Sequence, residues 1–292
     1  MAAGAGGLVL MWRLAQQQDI PAIERFLLDH VQSSMFALAN LREFGLNAPA
    51  PRAMSMWMLG DPLRGVFGIT NEGMILPQCP DLPEAGLAEA SDLIRGRTVI
   101  GLAGEATQAR RFLRQAGWQD RAAHLNRDEP SFALDLRDLI VPQADGARLV
   151  PLSDGDRSLL IRWREAYHLE SLGTDPGMAR AAAQKDIDGY IQRDSHRLLM
   201  VDDQPVSMTG FNATLPEIVQ IGGVFTPPAL RGRGYARTAV ALHLAEARAA
   251  GVRKAVLFAA SNAAVRAYVA IGFAPAGTFS LVLFSDQMEA AS

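Results

Sequence analysis

Cysteine is nearly missing from this chain. Cys79 stands alone among 292 residues, which excludes an internal disulfide and a multi-cysteine zinc site, and no metal is expected. No histidine or basic cluster neighbours it in sequence to make a thiolate, so it reads as a small buried residue. A basic excess is missing too: 28 Lys and Arg face 31 Asp and Glu, a net charge of −3. Gripping a phosphate backbone needs a basic face, so no nucleic-acid partner is expected. No apolar run approaches the roughly 20 residues of a spanning helix. The apolar patch in MAAGAGGLVLMWRL lacks the positive region of a secretory leader. The expectation is a cytoplasmic protein with no membrane partner. Also absent are the Gly-Lys-Ser/Thr end of a Walker loop and a full dinucleotide fingerprint, of which only Gly232 and Gly234 are present.

What is present suits a globular chain, with 49% hydrophobic and 20% charged residues. Its length suits two domains. PQADGA at 142–147 reads as the break between them, after a strand in SFALDL. Beyond it ARLVPL reads as a strand. DGDRSLLIRWREAYHLESLG reads as a helix ending at Gly173, with Leu159, Leu160, Trp163, Tyr167 and Glu170 at helical spacing. GMARAAAQKDIDGYIQRD is a second helix, and HRLLMVDD, PVSMTGFNAT and EIVQIGGVF are three successive strands. A long helix follows over 234–250, stopped by Gly251. Then come a strand in KAVLFAA, a short helix in NAAVRAYVAIG and a last strand in GTFSLVLF. The order β-α-α-β-β-β-α-β-α-β describes a mixed α/β sheet with one long crossover helix. The first half echoes this in pattern: WRLAQQQDIPAIERFLLDH reads as strand then helix, and RTVIGLAGEATQARRFLRQAGW as strand, glycine loop, helix. A degenerate duplication is expected.

The crossover helix starts in an unusual way. VFTPPALRGRGYA, residues 224–236, closes an apolar strand with two prolines and then sets two arginines and two glycines within four residues. Gly222 and Gly223 interrupt the strand itself, which marks a bulge or a ligand close to the backbone. The first N–H groups of a helix have no partner, and the dipole there favours an anion. Gly232 and Gly234 let main chain approach, and Arg231 and Arg233 add positive charge. Together they read as a phosphate or pyrophosphate site. The bland alternative is a strand-to-helix turn with solvated arginines.

These residues resemble a known family. Arg231, Gly234 and Ala236 form R-x-x-G-x-A after a V-x-T-P-P strand end. That is similar to the acyl-CoA-binding loop of the GNAT superfamily of N-acetyltransferases. A downstream strand, an asparagine, a helix with Tyr268 and then Gly272-Phe273 resemble its second CoA-contacting segment. The resemblance covers about 148–285. It looks closest to bacterial members in which an N-terminal half lacking the loop precedes the catalytic one. It implies an α/β fold with a mostly antiparallel mixed sheet flanked by helices: a degenerate GNAT-like domain over 1–143 and a catalytic domain over 147–292. It implies acetyl-CoA as cosubstrate, contacted by Val224, Phe225, Thr226, Arg231, Gly232, Arg233, Gly234, Tyr235, Ala236 and Tyr268. The side chain of Tyr235 reads as packing at the helix start. Many members carry an asparagine seven residues before the tyrosine. Here Ser261 holds that slot and Asn262 follows, so either contacts CoA, and Asn262 reads equally as a helix cap.

The resemblance further implies attack of a neutral amine on the thioester, with an oxyanion donor, an acid for the thiolate and a route for the amine proton. The donor falls to main chain over 223–225, and the acid to Tyr268, which otherwise reads as a core aromatic stacked on Phe273. The base is open among Glu170, His168, Glu165 and Glu217, or absent. The acceptor is a primary amine of a small molecule or peptide, and a homodimer is compatible with the sequence. The alternative is a non-catalytic acyl-CoA-binding or sensor protein. In the first half, Gly101, Gly104 and Ala106 repeat G-x-x-G-x-A without the arginine, and Glu105 would repel a phosphate, so a packing role is expected there. Trp57 and Trp118 read as core.

Overall fold

The computed structural model describes residues 11–289; the N-terminal apolar patch up to Leu10 lies outside them. Two compact units result, one of Met1–Asp128 with Phe279–Ser292 and the other Glu129–Thr278. The divisions fall inside strands, whereas the sequence placed a single break at 142–147.

The first half of the chain runs β1 (Trp12–Leu14), α1 (Ile20–Asp29), α2 (Val31–Phe44), β2 (Met54–Leu59), β3 (Gly65–Thr70), β4 (Met74–Gln78), α3 (Glu84–Leu93), β5 (Thr98–Glu105), α4 (Ala106–Gln115) and β6 (Ala123–Asp135). The second half runs β7 (Ala147–Pro151), α5 (Arg157–Tyr167), α6 (Pro176–Gln192), β8 (His196–Val201), β9 (Gln204–Thr214), β10 (Ile218–Phe225), α7 (Tyr235–Ala249), β11 (Lys254–Phe258), α8 (Asn262–Val269) and β12 (Ala274–Glu289). The two lists match element for element, so the duplication expected from pattern is present in the fold.

Pairing matches as well. In the first unit β1, β2, β3 and β4 run antiparallel in sequence order, and β4 pairs β5 parallel. In the second, β7, β8, β9 and β10 repeat the meander, and β10 pairs β11 parallel across the crossover α7. Each unit then takes its next strand from the other half of the sequence. The β5 edge is covered by β12, with Phe279 opposite Glu105. The β11 edge is covered by β6, with Ser131 opposite Phe258. Two open edges are closed by exchange of last strands.

The first unit packs Phe67, Ile75, Leu102, Phe112 and Val282 into one core. The sheet of the second unit is covered on both faces. On the α7 and α8 side lie Phe132, Leu134, Val219, Ile221, Leu244 and Tyr268. On the α5 and α6 side lie Leu160, Trp163, Ile187, Tyr190, Met208 and Phe225. Strand alternation should keep residue 225 on the face of residue 221. It is on the other face because β10 carries one extra residue between Gly222, opposite Gly210, and Phe225, opposite Met208. Among the described residues no helix is long and apolar enough to cross a membrane.

Candidate active site

The extra residue sits where β10 leaves its parallel neighbour. β10 and β11 pair from Ile218↔Lys254 to Gln220↔Val256 and no further. Beyond that level β10 bulges, with Gly223 at a left-handed φ of +63°. Such a bulge leaves a main-chain group without a ladder partner, at the point where the strands part. The double glycine also has a packing reason. A Cβ on Gly222 would lie 1.8 Å from Asn212 Nδ2, and one on Gly223 would lie 2.6 Å from His196 Nε2. The His196 ring is buried and stacked on Tyr190 at 3.5 Å. Burial first, then the charges of Arg164 and other neighbours, holds its pKa well below the usual histidine value, so it is neutral.

From Phe225 the chain passes Thr226 and Pro227, makes a 3-10 turn over Pro228–Leu230 and enters α7 through Gly232 and Gly234, at φ +78° and +81°. Gly234 is the N-cap, and among the described residues no side-chain cap bond is made to the helix start. The helical ladder begins with Thr238 N–H donating to Gly234 O at 3.0 Å. The N–H groups of Tyr235, Ala236 and Arg237 precede that bond and belong to the orphan set of a helix N-terminus. A Cβ on Gly232 would meet nothing within 4 Å, so main chain is open to an approaching group there.

The arginines divide. Arg231 donates from Nε to Thr226 O at 2.9 Å and from Nη2 to Glu170 Oε2 at 2.6 Å, with its guanidinium 5.8 Å above the Phe225 ring. It ties the loop to the turn after α5. Arg233 is exposed. Arg237, which sequence reading passed over, lies one turn into α7. Its Nη2 is 3.3 Å from the Cβ position of Gly234, and its Nε is buried without a partner. The available signal was the i+3 spacing from Gly234. Tyr235 packs against the buried cluster of Leu199, Val206 and Ala239, as expected.

Downstream, Ser261 is the N-cap of α8, accepting Ala264 N–H at 3.2 Å. Asn262 is the first helical residue and is exposed, so the cap foreseen for Asn262 belongs to Ser261. Tyr268 is buried and meets Phe273 edge-on at 6.1 Å. Burial pushes its phenol well above the ordinary value, and Tyr167 and the Glu129 carboxylate push it the same way. Tyr167, at the end of α5, is raised chiefly by burial, against the Arg164 guanidinium 4.5 Å over its ring. Both phenols are therefore protonated at neutral pH.

The candidate bases scatter. Glu170 lies in a π-helical turn, His168–Leu172, and pairs with Arg231. His168 is buried, with Nε2 2.9 Å from Asp186 Oδ2 and Nδ1 3.0 Å from Thr174 Oγ1. Asp186 also accepts Arg164 Nε at 2.7 Å. Glu165 pairs with Arg180 at 3.1 Å. Glu217 is exposed just before β10, where its carbonyl accepts the Arg253 and Lys254 N–H groups. Six residues of strand, about 20 Å, separate it from the bulge, so the fold does not bring it to the site. In the first half, the Glu105 carboxylate accepts Thr107 and Gln108 N–H groups at 3.0 Å and caps α4 itself. The anion place at that helix start is filled by the protein. Cys79 is buried and its thiol is pushed up to about 12 by burial. Trp57 is in the first core and Trp118 packs against it.

Residues 160–273 match the model of the acetyltransferase (GNAT) family. No curated protein matches the chain by sequence. Among solved structures, the chain is similar to an acetyltransferase from the GNAT family from Colwellia psychrerythraea, at 14% identity and TM-score 0.52, over 94% of this chain and 100% of that one. It is similar to a tandem GNAT protein from the clavulanic acid biosynthesis pathway, at 15% identity and TM-score 0.56, over 97% and 99%. It is also similar to a GCN5-related N-acetyltransferase from Sphaerobacter thermophilus, at 16% identity and TM-score 0.56, over 97% and 96%. At such identities the likeness is one of fold.

Proposed function

With residues 160–273 a GNAT-family domain, we propose that the chain transfers an acyl group, acetyl in the first instance, from acyl-CoA to a primary amine of a small molecule or peptide. One observation carries the reading: a helix start with no side-chain cap, entered through two left-handed glycines, beside the end where β10 and β11 part. A bound acyl-CoA supplies an electrophilic thioester carbonyl and a thiolate leaving group. The N–H groups over 232–237 hold the diphosphate, with Arg233 and Arg237 adding charge. The main chain of the β10 bulge donates to the carbonyl oxygen where negative charge develops. Tyr268, protonated at neutral pH, gives its proton to the sulfur.

Calorimetry with acetyl-CoA tests the site. Gly234→Asp sets a carboxylate at the uncapped helix end and should weaken binding by about tenfold or more. Unchanged affinity would place the cofactor elsewhere. Tyr268→Phe keeps the ring on Phe273, so thermal stability should hold while turnover drops by about 100-fold. The second reading, an acyl-CoA-binding protein without turnover, is favoured by the deep burial of the Tyr268 phenol. Thiol release with any of a broad set of primary amines excludes it.

A further inference from the structure

Two bulges lie side by side in the second unit. β9 pairs Phe211 with Ile221 and then Ala213 with Gln220, so Asn212 is an extra residue in β9. The extra residue of β10 follows Gly222. A bulge re-aims the side chain that it carries. The Asn212 carboxamide is turned onto the main chain of Gly222: a Cβ there would lie 1.8 Å from Asn212 Nδ2 and 2.5 Å from its Oδ1. Gly222 stands opposite Gly210, and a Cβ on Gly210 would lie 2.0 Å from the His196 ring. Asn212 and His196 therefore share one face of the sheet, the α5 and α6 face on which Tyr190 stacks on His196. Gln220 joins them by alternation from Gly222. Two buried polar atoms of this row, His196 Nε2 and Gln220 Oε1, have no hydrogen-bond partner among the described residues. His196 Nε2 is directed at Gly223, whose Cβ position is 2.6 Å away. Asn212 itself is exposed, whereas Gly210 is buried, so the cover over this face ends between them. Polar groups thus line the main chain over 220–223, next to an opening.

We infer that Asn212 binds the acceptor and selects amines that carry a hydroxyl or amide group at the second carbon from the reacting nitrogen. The assignment rests on the acyl-transfer reading and deepens it by naming the acceptor class. In that reading the thioester carbonyl lies at the β10 bulge. Tyr268 and Phe273 fill the α7 and α8 side of the sheet, so the nitrogen approaches across the α5 and α6 side. Gly222 is one strand residue, about 3.3 Å, from Gly223. A carboxamide lying on Gly222 reaches a polar group that trails the nitrogen by about that distance. It both donates and accepts, which suits a hydroxyl or an amide and leaves an alkyl chain without a partner. The bare Gly222 gives it this place, since a Cβ there would push the amide away.

Thiol release from acetyl-CoA is measured with ethanolamine and with propylamine, which has a methyl where ethanolamine has its hydroxyl. The ratio of the two kcat/KM values at one pH, compared between proteins, cancels the different basicity of the amines. Asn212→Ala should lower the ratio of ethanolamine to propylamine by about three- to tenfold, the worth of one hydrogen bond, mainly through the KM of ethanolamine. Acetyl-CoA affinity by calorimetry should change by less than about threefold. Gly222→Ala leaves residue 212 in place but displaces its amide. It should lower the ratio in the same way, and should have no such effect when combined with Asn212→Ala. If Asn212→Ala impairs folding, Asn212→Ser replaces it and should move the ratio in the same direction. A ratio within about twofold of wild type in the residue 212 variant, or an equal fall from Gly222→Ala in both backgrounds, overturns the assignment. A wild-type protein that binds acetyl-CoA but uses neither amine overturns it too. A wild-type protein that neither binds acetyl-CoA nor releases thiol with any amine overturns the acyl-transfer reading, and the assignment falls with it.

Discussion

Arg231 shows how a charge changes meaning once it has a neighbour. In sequence it stands beside Gly232 as a phosphate ligand; in the fold it bridges Thr226 and Glu170. Both ends of the ion pair are about half exposed, and pairs of this kind contribute less than about 1 kcal/mol. Glu170→Gln should therefore leave the melting temperature nearly unchanged. It frees a cation beside the helix start, so acetyl-CoA should bind about two- to fivefold more tightly at low salt, an effect lost at high salt. Calorimetry at two salt concentrations checks this. The buried histidines make a different prediction. Burial, aided by Arg197, pushes His243 down to about 3, and it stacks on Phe211 at 3.9 Å. His196 is also held well below its ordinary value. A folded-state pKa below the unfolded one means that the unfolded chain takes up protons first. The stabilisation is complete above about pH 6.5 and shrinks as pH falls, by about 1.4 kcal/mol per unit per histidine. Urea midpoints should drop from pH 7 to 5, and His243→Phe should flatten that slope.

At the scale of elements, the glycines around β10 and α7 do not share one task. Gly232 and Gly223 both have left-handed φ, but only Gly223 is crowded, by the His196 ring. Gly232→Ala should cost about 1 kcal/mol from backbone strain alone. Gly223→Ala adds a clash with a stacked, buried ring and should cost about 2–4 kcal/mol. Denaturant titration of the two variants gives the comparison, and equal losses would contradict it. These elements were largely legible in the sequence. The start of α7 at Tyr235, its stop before Gly251 and the end of the turn after α5 at Gly173 follow from glycines that act within a few residues. The bulge was legible as a possibility in Gly222-Gly223, but not its partner: His196 arrives from a strand 27 positions earlier by number and nothing local announces it.

At the scale of the molecule, the exchange of β6 and β12 sets what can fold as a piece. A fragment over 147–292, cut at the break read from sequence, lacks β6 and exposes the β11 edge. It should aggregate or unfold, because an unpaired edge next to an apolar core is a template for association. A fragment over 129–278 keeps every strand of the second unit and should stay monodisperse and melt cooperatively. Gel filtration and circular dichroism of the two fragments decide between the boundaries; the reverse order of stability would count against the exchange.

The sequence by itself determined the order of elements, the duplication and the helix start at Gly234, since periodicity, chain breakers and unpaired N–H groups depend on residues close in the chain. Only the tertiary structure decided which strand covers β11 and what Arg231 holds. The β6–β11 pairing joins residues more than a hundred positions apart and the Arg231–Glu170 ion pair residues 61 apart, and alternation along SFALDL is satisfied equally well beside either sheet.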